Sequence, residues 1–335
     1  MPSLRTQITE IATGLGMLGA TDLDAALERR PDALHHVDDA TWQRLRDARH
    51  ARDHDLDFLA AWNNGRAFLT SPEALRGRPP AVVEWKGEHR DPGDHAVPSD
   101  LRVDHVYLVS CKYLSNVLHN ASPWSLFDQH LLGGARRADG DWFDAVAPRE
   151  HQELYRLVRR HHGADLQLPE AVSALTKDQR RTLRRAIPKV WDASCAEAYA
   201  ALCATASSAS AARWSSGLGS ARDRAAMLWR LLRLSSAPYF VLGTSASGSL
   251  RLRVDTPWDF TNRFRVRTLT IEAGTGGQPT VTWAATVQRL DGDDDVVVRG
   301  HVEVRWSHGR FAGPPEAKVY LDTPHHRVPG YVTLG

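Results

Sequence analysis

Apolar residues recur at helical spacing at the start of the chain. Leu4, Ile8, Ile11 and Leu15 share one face of a helix running from Ser3 to Leu18. From about Asp39 to Leu69, residues Trp42, Leu45, Leu56, Leu59, Trp62 and Phe68 continue the pattern, with a break expected at Asn63-Asn64-Gly65. The period then shortens. Ala81 to Lys86 is short, apolar and β-rich, Asp91 to Asp94 and Val97 to Asp100 are turn-prone, and Val103 to Tyr113 reads as a buried strand. Two strands with a polar connection predict a long hairpin. Asn116 to Leu132 reads as helical, with Pro123 marking a break or a start. Residues 149–234 are helical again. Thr176 and Gln179 form a capping box for a helix that stops before Pro188, and the Ala/Ser-rich stretch Ala204 to Ser220 reads as a flexible connection. Two-residue alternation marks strands at Arg251 to Val254, Phe264 to Ile271, Thr280 to Leu290 and Val296 to Trp306, with a hairpin turn at Asp291-Gly292. The pattern predicts an α+β chain with a helical segment at 1–70, a mixed core at 71–146, a helical connector at 147–234 and an antiparallel β-rich region at 235–335.

Composition narrows the classes. The 335 residues suit two or three domains, and 42% hydrophobic with 24% charged residues is ordinary for a globular protein. A net charge of +2 confines any nucleic-acid contact to local patches. Three cysteines, Cys111, Cys195 and Cys203, form no paired framework, and a reducing cytoplasm is expected. No signal peptide and no spanning helix of roughly 18 apolar residues is expected. Among 42 basic residues, only Lys86, Lys112, Lys177, Lys189 and Lys318 are lysines. In so arginine-rich a chain, each lysine marks a place where a compact, deprotonatable ammonium is of use.

Two of these lysines stand two residues after a polar residue, in Glu84-Trp85-Lys86 and Ser110-Cys111-Lys112. On a strand each pair projects to one face. An acid that holds a divalent cation beside such a lysine is the equipment of metal-assisted phosphodiester hydrolysis. Pairing strands around a loop centred near residue 96 sets Glu84 opposite about residue 109, beside Ser110 and Lys112. A tighter hairpin turning at Pro92-Gly93 sets Glu84 against Leu101, with Asp100 close by and Lys112 out of reach. Asp128, Asp53, Asp55 and Asp57 are alternatives for a second acid. A second cluster, His301, Glu303, Arg305, His308, Arg310, Glu316 and Lys318, is either another site or a solvated strand face with cross-strand ion pairs. Arg180, Arg181, Arg184 and Arg185 form a basic helix face opposite Leu183 and Ile187, suited to phosphates. Gly14-x-Gly16-x-x-Gly19 follows a helix-like segment and reads as a helix end, not a dinucleotide loop.

The 80–113 hairpin resembles the PD-(D/E)xK, or restriction-endonuclease-like, nuclease superfamily. That family places an acid on one strand and Asp/Glu-x-Lys on the next antiparallel strand. Ser110-Cys111-Lys112 is similar to the second element, in its Ser-x-Lys variant. The resemblance implies a nuclease-like core at 71–146 and a Mg²⁺- or Mn²⁺-dependent endonuclease acting on DNA, in phage defence or repair, with homodimers a common assembly. It casts Glu84, Lys86, Ser110 and Lys112 as catalytic residues and Glu84, Asp100 and Asp128 as metal ligands. Arg180, Arg181, Arg184, Arg185, Arg305 and Arg310 become the nucleic-acid contacts, and the C-terminal region becomes a reader of the nucleic acid. A metal-free binding module with a degenerate core is the second expectation. An enzyme centred on His301, Glu303, His308, Glu316 and Lys318 is the third.

Overall fold

Ser3 accepts a hydrogen bond from the Thr6 amide and starts helix α1 (Leu4–Met17), which ends at Leu18 and Gly19 (φ 77°). The glycine spacing therefore closes a helix, as its apolar lead-in indicates. The computed structural model describes residues 2–87, 99–113, 117–128, 140–245, 248–292 and 294–334. After α1 come α2 (Leu23–Arg29), β1 (Leu34–His35), α3 (Asp39–Ala51), α4 (Asp55–Thr70), β2 (Val83–Trp85), β3 (Leu101–Val103) and β4 (Tyr107–Tyr113). Next are β5 (Val117–Ala121), α5 (Pro123–Phe127), α6 (Trp142–Val146), α7 (Pro148–His162), α8 (Lys177–Ala186), α9 (Ala193–Ser216) and α10 (Ala221–Leu231). Then follow β6 (Tyr239–Ser245), β7 (Gly248–Val254), α11 (Pro257–Arg263), β8 (Phe264–Ala273), β9 (Thr280–Arg289), β10 (Asp295–Arg305), β11 (Glu316–Leu321) and β12 (Tyr331–Thr333). The fold is mixed α+β, and among the described residues no helix is long and apolar enough to cross a membrane.

The chain forms two compact units, each assembled from separate segments. The first takes residues 1–116, 232–264 and 324–335, and the second takes 117–231 and 265–323. The first unit carries a mixed sheet in the order β1-β2-β3-β4-β6-β7-β12. Strands β2, β3 and β4 form an antiparallel meander, and β6 joins β4 in parallel. One face of this sheet packs Val83, Trp85, Leu101, Val103, Val109, Phe240 and Leu242 against Ile8, Ile11 and Leu15 of α1 and Phe58, Trp62 and Phe68 of α4. The two helices touch through Gly16 and Gly65. A Cβ on Gly65 would lie 2.0 Å from the Thr13 carbonyl oxygen, so Asn63-Asn64-Gly65 is a packing contact inside α4 and not a break. The real break comes earlier, where Arg52 (φ 59°) ends α3.

The single strand expected from Val103 to Tyr113 is two. Asp104 (φ 49°) and His105 (φ 59°) take left-handed conformations and turn β3 into β4. Asp and His tolerate that region better than most residues, and the Asp104 carboxylate also accepts from the Ala81 and Val82 amides. Because β3 lies between β2 and β4, Glu84 pairs with Arg102 and not with a residue near 109. The tighter register is the nearer of the two but is off by one residue, because Trp85 and not Glu84 stands opposite Leu101. Residues 91–98, expected to be turn-prone, lie outside the described residues.

The second unit holds an antiparallel run, β5-β11-β10-β9, with β8 beside β9. The expected helix from 116 is strand β5 followed by α5, which starts at Pro123. The Ala/Ser stretch expected to be flexible is the body of α9. Alanine favours helix, and the two buried serines have partners, Ser207 accepting from the Thr280 amide (2.9 Å) and Ser210 from the Trp142 indole (2.9 Å). The Thr176 capping box opens α8, which stops at Ile187 before Pro188. Trp142, Phe127, Trp214, Phe143, Phe311 and Trp306 form the aromatic core of this unit.

Glu84 pins the β2–β3 register. Its side chain, 7% exposed, accepts from Arg102 Nε (2.5 Å) and Nη2 (2.8 Å) and lies 3.1 Å from His105 Nδ1. The Arg102 hydrogen bonds hold its carboxyl down at about 2, against an ordinary 4.5. A depressed carboxyl stabilises the fold above its unfolded value, and that contribution fades as pH falls from about 4.5 through about 2. Arg102→Ala should therefore cost about 3 kcal/mol at about pH 7 and only about 1 kcal/mol at about pH 3, read as urea midpoints. A loss independent of pH would mean that the ion pair does not hold the register.

Candidate functional site

Beyond the Glu84–Arg102 pair, the meander carries a second polar row. Lys86 donates its main-chain N–H to the Asp100 carbonyl (2.9 Å), and the Asp100 N–H reaches the Val109 carbonyl (2.8 Å). Lys86, Asp100 and Ser110 therefore stand side by side across β2, β3 and β4. The alternation that sends Trp85, Leu101, Val109 and Cys111 toward the helices sends this row to the other face, with Lys112 two residues further along β4. The Asp100 Oδ2 accepts from the Cys111 amide (2.7 Å) and the Ser110 hydroxyl (3.2 Å). This orients the carboxylate and leaves Oδ1 with no hydrogen-bond partner among the described residues.

Charge is concentrated here in spite of burial. Lys86 is 2% exposed, one of the largest fully buried side chains among the described residues. Burial pushes the Lys112 ammonium below the usual lysine range. Asp100, Cys111 and Glu10 pull the other way, and Arg233 adds to the lowering. Glu10, buried on α1, accepts from the Trp85 indole (2.6 Å). Burial, with Asp100 and Glu10 adding to it, pushes the Cys111 thiol well above the ordinary thiol range. On the neighbouring strand, buried Tyr239 hydrogen-bonds Ser110, and the Arg233 guanidinium lies 5.7 Å from its ring centre. Gly243 pairs with Lys112, and a Cβ there would lie 2.1 Å from the Lys112 carbonyl oxygen, so β6 approaches β4 closely only without a side chain.

Of the residues expected at a site, Lys86, Asp100, Ser110 and Lys112 come together. Glu84 does not join them, because both its oxygens serve Arg102 and His105. Asp128 belongs to the second unit, where it accepts from Arg213 (2.7 Å). Asp55 pairs with Arg49, and Asp57 with Arg5 and His54. Glu10, Tyr239 and Arg233 were not anticipated. A carboxylate between Ile8 and Ile11 was a readable signal for Glu10, whereas Tyr239 and Arg233 arrive only through the parallel β4–β6 pairing.

The basic residues divide in the same way. Arg180 donates to the Phe311 carbonyl and pairs with Asp141, and Arg184 lies against Gly309. Arg310 donates to the Pro188 and Lys189 carbonyls with its guanidinium 3.7 Å from the Trp191 ring centre, and Arg305 pairs with Glu303. Arg181 and Arg185 are exposed on α8, Arg181 beside Asp178. The C-terminal cluster resolves into cross-strand neighbours. His301 pairs with Asp322 (2.8 Å) and stacks on Tyr320, Glu303 faces Lys318, and His308 and Ser307 meet Glu316. Comparison with family models, with curated proteins and with solved structures gave no match.

Proposed function

We propose that this protein is a metal-dependent nuclease that hydrolyses phosphodiester bonds in DNA. The observation that carries the reading is the row Lys86–Asp100–Ser110 with Lys112 beside it. An acid opens one strand, and Ser-x-Lys lies on the next antiparallel strand, the order of the PD-(D/E)xK pattern with Asp100 in place of Glu84. The strand parallel to β4 and the helix behind the sheet are consistent with it.

The donors suit a hard cation such as Mg²⁺, which binds through one or two carboxylates and substrate oxygens. Among the described residues, Asp100 Oδ1 and Ser110 Oγ are the oxygen donors beside Lys112, while Glu10 lies on the helix side of the sheet with the Trp85 indole. When bound, the cation supplies charge to the phosphoryl oxygens and makes water more acidic. Asp100 is aimed by its bonds to Ser110 and Cys111, so its free oxygen needs no reorganisation. Lys112, held below the usual lysine range, either takes the proton of the attacking water or offsets the charge that develops on the phosphate. Lys86 stands next to Asp100 on the adjacent strand as a second cation for the phosphate. Arg181 and Arg185, exposed on α8, are candidates for the phosphate backbone.

On supercoiled plasmid with Mg²⁺ or Mn²⁺, Asp100→Asn and Lys112→Ala should each slow cleavage by at least about 100-fold. Glu84→Gln, compared at equal folded fraction, should stay within about tenfold of the parent. Undiminished cleavage by both Asp100→Asn and Lys112→Ala removes the assignment, and DNA binding without metal uptake or cleavage points to a binding module.

If neutral Lys112 is the base, the single-turnover rate should rise with pH and level off below the ordinary lysine value near 10.5, and this rise should be absent in Lys112→Arg. A profile shared by parent and Lys112→Arg assigns the proton transfer elsewhere.

A further inference from the structure

We infer that the second unit carries a zinc site built from His161, His162, Asp192 and Cys195, separate from the row around Asp100. The side chains come from the two ends of a helical pair. His161 and His162 end α7, Asp192 caps α9, and Cys195 lies in its first turn with no exposed surface. One ligand atom each from His161, Asp192 and Cys195 lie within 4.8 Å of one another.

The carboxylate shows how the group is arranged. Asp192 Oδ1 accepts from the Cys195 amide (2.9 Å) and the Ser194 hydroxyl (2.7 Å), which completes the helix cap. Its Oδ2 is aimed elsewhere and meets two imidazoles at once, His161 Nδ1 at 3.2 Å and His162 Nε2 at 3.0 Å. A cap needs only one oxygen, so the convergence of two rings on the other is not accounted for by capping. Zinc bonds of about 2.1 Å to nitrogen and oxygen place tetrahedral ligands about 3.4 Å apart, close to both separations. The buried thiol supplies the soft donor that favours zinc over magnesium or calcium. Ser194 and the Cys195 amide then act behind the ligand, fixing the carboxylate as such partners do at zinc centres.

Two neutral imidazoles, one carboxylate and one thiolate balance the +2 charge of the ion. The thiol proton passes to solvent as sulfur binds, and no electron transfer is involved. Four protein donors close the coordination sphere, so the ion is a clasp that joins the end of α7 to the start of α9 across the intervening α8 segment. It activates no water.

The full-length protein, stripped with a chelator, is titrated with Zn²⁺ against a chromogenic chelator and separately with Co²⁺. The expected result is one equivalent of zinc per chain, a higher melting temperature with zinc, and a cobalt spectrum carrying thiolate-to-metal charge transfer. Cys195→Ser should abolish the thiolate band, and His161→Ala, at an exposed position, should weaken uptake at least about tenfold. Cys203→Ser, the other thiol of α9, should leave the band intact. If Cys195→Ser fails to fold, His161→Ala and the parent spectrum decide. No zinc uptake at micromolar metal, a cobalt spectrum without the thiolate band, or uptake insensitive to His161→Ala overturns the site.

Discussion

The Asp100 carboxylate is the joint that ties the first sheet together. Its main chain bonds to β2 at Lys86 and to β4 at Val109, and its side chain reaches over to the Cys111 amide and the Ser110 hydroxyl. Side chains alternate along a strand, so a slip of one residue would exchange the two faces of the sheet. Lys86, Asp100 and Ser110 would enter the apolar layer, and Trp85, Leu101 and Val109 would leave it. Register and the polar row are thus set by the same contacts.

The helices enforce this from behind. Gly16 and Gly65 allow α1 and α4 to touch backbone to backbone, which lets both lie flat under β2, β3, β4 and β6. With one face sealed by Ile11, Leu15, Phe58 and Phe68, the polar side chains of the meander take the other face. Two ionic rows share it, with different tasks. Glu84 and Arg102 satisfy each other and lock the strands. Asp100 Oδ2 is bonded to Ser110 and the Cys111 amide, and burial holds the Lys112 ammonium below the usual lysine range.

Much of the local structure was legible in the sequence. Alternation located β7, β8, β9 and β10, the Thr176–Gln179 box located the start of α8, and Ser-x-Lys drew attention to β4. The failures have physical causes. Val103 to Tyr113 is uniformly apolar enough to read as one strand, yet Asp104 and His105 can both take positive φ, and two such residues turn the chain. That hidden turn moved the acid of the row from Glu84 to Asp100. Alanine and serine between residues 204 and 220 look like a linker by composition, but their small side chains pack under Trp142 and beside Thr280. The grouping of the C-terminal strands was not readable either. Strands β6 and β7 resemble β8 and β9 in pattern, and pairing between distant segments leaves no mark in a local window.

The interleaving of the two units along the chain has a consequence for biosynthesis. Strand β4 ends at Tyr113, but its parallel neighbour β6 begins only at Tyr239, after residues 117–231 of the second unit have been translated. Until then, the Lys112 side of β4 is an unpaired edge, and Tyr239 and Arg233 are absent from the row beside it. Strand β12 joins the sheet later still. Sequence-distant pairing of this kind makes folding slow and late. The polar row around Asp100 is therefore complete only once β6 has been translated, and a chain cut before Tyr239 would carry the motif residues without these neighbours.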